Sequence, residues 1–163
     1  MKKILLLSDT HGYIDDHILK YVNESDEVWH AGDIGSIEVT NIISNIKPLR
    51  AVFGNIDGAE IRLSFTKDLV FECEDVKVFM THIGGRPGRY AKGVSQKLKS
   101  TRPKIFICGH SHILKIIFDE THKVLFINPG AVGKHGFHKV RTMVRFQLSK
   151  GNVKKMEVIE VNR

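Results

Sequence analysis

An α/β fold built largely on parallel strands is what this sequence predicts, and three observations lead there. Short apolar runs recur along the 163 residues, and five of them close on side chains carrying N or O donors. Between the early runs, apolar residues return at helical spacing, so residues 3–53 read as β-α-β-α-β with a parallel first sheet. From residue 69 the rhythm changes to strands joined by short turns, which predicts a more antiparallel C-terminal half.

Residues 4–7 form a continuous apolar run typical of a strand buried on both faces. Ile14, Ile18, Leu19 and Val22 follow at helical spacing. Residues 27–30 are the second strand, and the helix expected over 37–46 is stopped by Pro48. Residues 50–53 complete the parallel half. Residues 69–71, 77–80 and 105–108 read as strands, with one helix near 93–100. After His112, strands are expected at 114–118, 124–127, 141–148 and 153–161. Residues 142–148 alternate polar and apolar, and Lys150-Gly151-Asn152 is hairpin-turn chemistry. One domain over 1–163 is expected, with no repeat, low-complexity tract or linker.

Composition narrows the class. With 42% hydrophobic and 26% charged residues, the chain reads as a soluble globular protein rather than a disordered or fibrous one. Met1-Lys2-Lys3 and the apolar run behind it imitate a signal peptide, but the run stops at Ser8-Asp9, short of the roughly 7–15 residues an h-region needs. No stretch is apolar enough to span a bilayer, so a cytoplasmic protein without membrane contact is expected. Cys73 and Cys108 lie far apart with no C-x-x-C spacing, which argues against a disulfide framework or a thiolate zinc site. Cys108 reads as a small core residue.

The net charge of +7 is unevenly spread: residues 1–75 hold 7 basic and 14 acidic residues, 76–118 hold 9 basic and none acidic, and 119–163 hold 9 basic and 4 acidic. The central basic stretch either steers anionic substrates or forms a solvated helix face. Arg86 and Arg89 follow His82 on a Gly/Pro loop, where a guanidinium can reach a phosphate. No nucleic-acid-binding motif is present.

The donors that end the apolar runs are Asp9 and His11, Asp33, Asn55, His82, and His110 with His112. Parallel strands deliver their carboxyl ends to one edge of the sheet, so these residues converge there. Two carboxylates, one amide oxygen and four imidazoles exceed what one tetrahedral zinc takes, whereas two divalent cations sharing a bridging carboxylate fit the count. Such a site would carry about +2, draw in an anion and acidify a bound water. Phosphate esters are the substrates that fit. Taken singly, Asp9 also suits a helix cap and Asn55 a Gly-Asn turn; the joint pattern favours ligands. His30, inside a strand, is expected to support the ligands from behind, and Asp57 to brace the Asn55 loop or contact a histidine. His17 and His122 are expected at the surface. His135 and His138, on a Gly-rich stretch, either approach the site or face solvent.

The segments Asp9-Thr10-His11, Gly32-Asp33, Gly54-Asn55-Ile56-Asp57, Thr81-His82 and Gly109-His110-Ser111-His112, with Asn128-Pro129-Gly130 beyond, resemble the calcineurin-like metallophosphoesterase superfamily. The resemblance is to its small bacterial and archaeal phosphodiesterase branch and spans roughly residues 3–132. It implies a four-layer α-β-β-α sandwich, two mixed sheets flanked by helices. It implies that Asp9, His11 and His112 hold one metal, that Asp33 bridges, and that Asn55, His82 and His110 hold the second. A metal-bridging hydroxide would then attack phosphorus in line, with Asp33, Asn55 and His82 in the catalytic set. Manganese is the first expectation for both divalent ions, with nickel, iron, zinc or magnesium as alternatives.

Departures from the family pattern shape the expectation. Ile56 stands where many members have a histidine beside the leaving oxygen, so general-acid help of about 10²–10⁴-fold is missing and good leaving groups are favoured. Ile83-Gly84-Gly85 and Gly130-Ala131 also differ from the usual wording. The expected function is therefore a metal-dependent phosphodiesterase acting on a small phosphate ester. Its rivals are a degenerate protein-interaction module, like the phosphoesterase-like subunit of the retromer coat, and a nuclease recruited by the basic segment. Family members often self-associate, so a homo-oligomer is compatible with the resemblance.

Overall fold

The computed structural model describes all 163 residues. Twelve strands and four helices follow in the order β1 (Lys2–Leu7), α1 (Asp16–Glu24), β2 (Glu27–His30), α2 (Ile37–Ser44), β3 (Leu49–Ala51), α3 (Ala59–Ser64), β4 (Asp68–Cys73), β5 (Val76–Thr81), β6 (Gly85–Arg86), β7 (Arg89–Tyr90), α4 (Val94–Thr101), β8 (Ile105–Ile107), β9 (Lys115–Asp119), β10 (Val124–Asn128), β11 (Val140–Ser149) and β12 (Asn152–Asn162). They make two five-stranded sheets, ordered β12-β11-β1-β2-β3 and β4-β5-β8-β10-β9, and a small β6-β7 ribbon.

Each large sheet has three adjacent parallel strands, which fill one side of the first sheet, with β3 at its edge, and the centre of the second. β1, β2 and β3 run parallel in the first, with β11 antiparallel to β1. β5, β8 and β10 run parallel in the second, between antiparallel β4 and β9. The antiparallel pairings do fall in the later chain, but the C-terminal hairpin joins the N-terminal sheet through β1.

Side-chain alternation turns the sheets into layers. On β1, Ile4 and Leu6 face the second sheet, where they join Val78, Met80, Ile105 and Ile127 around Trp29. Leu5 and Leu7 face outward, onto Ile18 and Val22 of α1 and Val39 and Ile43 of α2. The outer face of the second sheet buries Phe79, Phe106 and Phe126 under Val94 and Leu98 of α4. The order is therefore helix, sheet, sheet, helix. The Trp29 ring meets Phe71 and Phe146 edge-on at 4.9 and 5.6 Å between centroids, and removing it would cost about 3–5 kcal/mol.

Several boundaries differ from the sequence expectation for local reasons. The cap of α1 is Asp15, whose carboxylate accepts from the Ile18 N–H, so Ile14 lies before the helix and Asp9 caps nothing. α2 ends at Ser44, earlier than Pro48 requires. α3 and the β6-β7 ribbon carry too few apolar repeats to register as a pattern. The turn after β11 behaves as its composition demands: Lys150 and Gly151 take φ of 49° and 79°, the two left-handed residues of a tight hairpin.

Candidate metal centre

The loops that leave the strands at one edge bring the donors together. Asp9 and His11 follow β1, Asp33 follows β2, Asn55 follows β3, His82 follows β5, and His110 and His112 follow β8. Five of these seven residues, Asp9, His11, Asp33, His110 and His112, have positive φ between 47° and 70°. A non-glycine residue there is strained, and a cluster of such residues at one edge marks a functional site.

The donors fall into two groups, Asp9-His11-His112 and Asp33-His82-His110, with the ligand atoms of each within 4.8 Å of one another. His112 Nε2 stands 3.2 Å from Asp9 Oδ1, and His82 Nε2 stands 3.2 Å from Asp33 Oδ2. The groups adjoin, since His11 Nε2 lies 3.7 Å from Asp9 Oδ1 and 3.5 Å from Asp33 Oδ2. Asn55 Oδ1 meets His110 Nδ1 at 3.0 Å, which places the amide oxygen with the second group.

Whether this set suits cations is tested by its unsatisfied atoms. Asp9 Oδ1, His11 Nε2 and His82 Nε2 are buried without any hydrogen-bond partner. Buried polar atoms left alone cost about 1–3 kcal/mol each, so three of them aimed into one small volume call for an occupant. The Nδ1–H of His82 donates to the Ala31 carbonyl at 2.8 Å, which leaves the Nε2 lone pair free to coordinate. Charge agrees. Burial opposes ionisation of Asp9, but the imidazoles of His11, His112 and His82 and the Ser8 hydroxyl hold its carboxyl well below the usual range. Asp33 is lowered likewise against its burial, chiefly by His82. The neighbouring Asp9 carboxylate raises His11, and Asp33 with Asp9 raises His82 against burial. Mixed N and O donors, two of them anionic, fit divalent transition metals.

Residues behind the donors hold the loops in place. Asp57 accepts from the backbone N–H of Ile34, Gly35 and Gly54, pinning the Asp33 and Asn55 loops to each other, and it hydrogen-bonds to no histidine. His30 is fully buried; its Nδ1 accepts from the Gly32 N–H, so its Nε2–H donates to the Thr10 hydroxyl. Burial pushes His30 down to about 4, so it stays neutral. Gly54 is required by space, because a Cβ there would lie 2.1 Å from Asp33 Oδ1.

Two contributions escaped the sequence reading, and a third answers a question it left open, where His135 and His138 lie. The Ser8 hydroxyl donates to Asp9 Oδ2 at 2.6 Å, and the Asn128 amide donates to the Gly109 carbonyl and the Ser111 hydroxyl, fixing the His110 loop. The third is the loop of residues 133–138, which bounds the cavity above the donors. In it His135 stacks on His11 at 4.7 Å and His138 meets His112 edge-on at 5.4 Å. Only Asn128 lies in a recognisable motif; a serine beside a ligand and a Gly-rich loop carry no periodic signal. Arg86 and Arg89 stand exposed on the β6-β7 ribbon and do not bound this cavity, so the substrate contact expected of them finds no support in their position. His122 is not at the surface as expected: its Nδ1 lies 2.9 Å from the carboxylate of Asp119, which also accepts from the Tyr90 hydroxyl.

Fold and donors together describe a metal-binding phosphoesterase. The chain belongs to the calcineurin-like phosphoesterase superfamily, whose domain model matches residues 1–151. It is 30% identical over 144 residues to a phosphodiesterase of Methanocaldococcus jannaschii, covering 78% of this chain and 82% of that one. A probable metallophosphoesterase of Mycoplasma pneumoniae is also 30% identical, over 94% of each chain. Among solved structures, a single mutant of Vps29 from Entamoeba histolytica superposes with a TM-score of 0.74 over 98% of this chain and 99% of its own, at 18% identity, which is likeness of fold alone. No helix is long and apolar enough to cross a membrane.

Proposed function

We propose that this chain is a dinuclear metal-dependent phosphodiesterase acting on a small phosphate ester. Asp9, His11 and His112 would hold one divalent cation, Asn55, His82 and His110 the other, and Asp33 would serve both. The observation that carries the reading is the convergence of three unpartnered buried atoms, Asp9 Oδ1, His11 Nε2 and His82 Nε2, inside two adjoining donor groups. The family membership and the phosphodiesterase relative point the same way. Four imidazoles favour manganese or nickel over magnesium.

Divalent cations, when bound, supply Lewis-acid polarisation of a phosphoryl oxygen and acidify a water. The chain's own groups do the rest. Asp9 and Asp33 stay ionised and set the anionic component of the site, and His82 is locked by Ala31 in the tautomer that can coordinate. Ile56 bounds the cavity and offers no proton, so a leaving group beside it gets no help from that position.

The test is hydrolysis of bis(p-nitrophenyl) phosphate by protein first stripped with chelator and then loaded with manganese, nickel or magnesium. Turnover restored best by manganese or nickel is the expected result. A folded protein that binds metal and turns over no diester with any of them would end this reading and leave the interaction-module one.

A further inference from the structure

The cavity above the donors is far larger than one phosphoryl group requires. Its volume is about 570 Å³, and the donors occupy only its floor. Three large apolar side chains stand on its rim among Ser111, His135 and His138: Ile56 is 47% exposed, Ile113 is 66% exposed, and Phe137 stands wholly in solvent. Large apolar side chains bared around a polar floor mark a binding surface.

The chain holds this rim in place. The loop carrying Phe137 is closed by the His138 Nε2–H donating to the Gly133 carbonyl at 2.8 Å. Arg163 clamps it from outside by donating to the carbonyls of His138 and Lys134 at 2.6 and 2.7 Å. On the inner side, the Gly133 N–H donates to the Asp9 carbonyl at 3.1 Å, and the His135 ring lies against His11. Phe137 is thus presented at the mouth of the donor cluster by a loop fastened at several points. No lysine or arginine bounds the cavity, so a second phosphate would meet no permanently charged side chain there, only the His135 and His138 imidazoles beside the donors.

We propose that the site selects phosphodiesters carrying a single negative charge and a flat aromatic or heteroaromatic group on an ester oxygen, with that group lying against Phe137 between Ile56 and Ile113. This rests on the phosphodiesterase reading and specifies its substrate class. Sugar-phosphate monoesters, polyphosphates and polymeric nucleic acid are disfavoured, since they need cations or a long basic groove that this rim lacks.

The experiment compares phenyl p-nitrophenyl phosphate with methyl p-nitrophenyl phosphate on the manganese-loaded protein. Both release the same p-nitrophenolate and differ only in the retained group. The expected phenyl-over-methyl ratio in kcat/KM is about tenfold, the factor of one aromatic stacking contact. In Phe137→Ala the ratio should fall to about twofold or less, and Phe137→Trp should restore it. A wild-type ratio near one, or equal loss of both substrates in Phe137→Ala, overturns the proposal. Calorimetric titration with diphenyl and dimethyl phosphate separates the two readings. If neither ester is hydrolysed but diphenyl phosphate binds about tenfold tighter through Phe137, the rim is right and the enzyme reading fails. Equal binding of the two sinks the rim.

Discussion

Strands β1, β2 and β3 carry a cluster of buried charge toward each end, and the two clusters are built on opposite terms. Near the amino end, Glu27 accepts from the Trp29 indole N–H at 2.9 Å, from Lys2 Nζ at 3.0 Å and from the Arg50 guanidinium. Burial opposes its ionisation, and those three donors outweigh it and lower its pKa. At the carboxyl end, Asp9 is equally buried, yet Oδ1 has no partner and the imidazoles beside it have unpartnered nitrogens. The backbones differ in the same sense: Asp9 and Asp33 are left-handed, whereas Glu27 lies in regular strand. A cluster that satisfies its own atoms stabilises the fold, and one that strains its backbone to keep atoms unsatisfied is arranged for a ligand.

Substitutions at the two ends should therefore separate activity from stability. The largest effect is expected from Asp33→Asn, which should lower kcat/KM for an activated diester by about 10³-fold or more. The metal-free protein should melt only slightly lower than wild type: the amide keeps an acceptor for the Ile56 N–H, and the lost attraction of His82 is partly offset by relief from Asp9. A clear loss of melting temperature would erase the contrast between the ends.

Next comes Asp57→Ala, which strands the Ile34, Gly35 and Gly54 N–H groups and should cost about 4 kcal/mol by denaturant unfolding. Metal affinity, followed by calorimetry, should fall about 10–100-fold as the two ligand loops come apart.

His30 sharpens the comparison through pH. Its folded pKa, about 4, lies below the unfolded value of 6.5, so the unfolded chain binds the extra proton between these limits. Stability from this group is full above pH 6.5 and is lost as pH falls toward 4, by about 3 kcal/mol. Unfolding free energies across that window should show the slope in wild type and a flatter one in His30→Gln.

The smallest effect is expected at the satisfied end. Glu27→Gln should cost about 2 kcal/mol, because the Lys2 and Arg50 heads are partly exposed and recover water. Diester turnover of the metal-loaded protein should stay within about twofold of wild type. A larger drop in turnover would mean that the two ends are coupled through the sheet.

Much of this was legible in the residues. The strand at 4–7 stood out as an unbroken apolar run, those at 27–30 and 77–80 through the shorter runs Val28-Trp29 and Val78-Phe79-Met80, and the donors stood out because they follow such runs. α3 and the β6-β7 ribbon did not, and the Gly-rich loop at 133–138 left open whether its histidines reach the site, since short or Gly-rich segments are set by what they pack on. Arg86 and Arg89 show the limit: closeness to His82 in sequence did not bring them to the cavity.

The sequence by itself determined the α/β class and which donors leave which strand ends, because periodicity and chain direction are local properties that folding cannot reverse. Only the tertiary structure decided that Asp57 ties two ligand loops, that the C-terminal hairpin completes the N-terminal sheet, and that Phe137 stands over the donors. These depend on which surfaces meet across the sheets, and contacts between residues distant in the chain leave no mark on the spacing within any one segment.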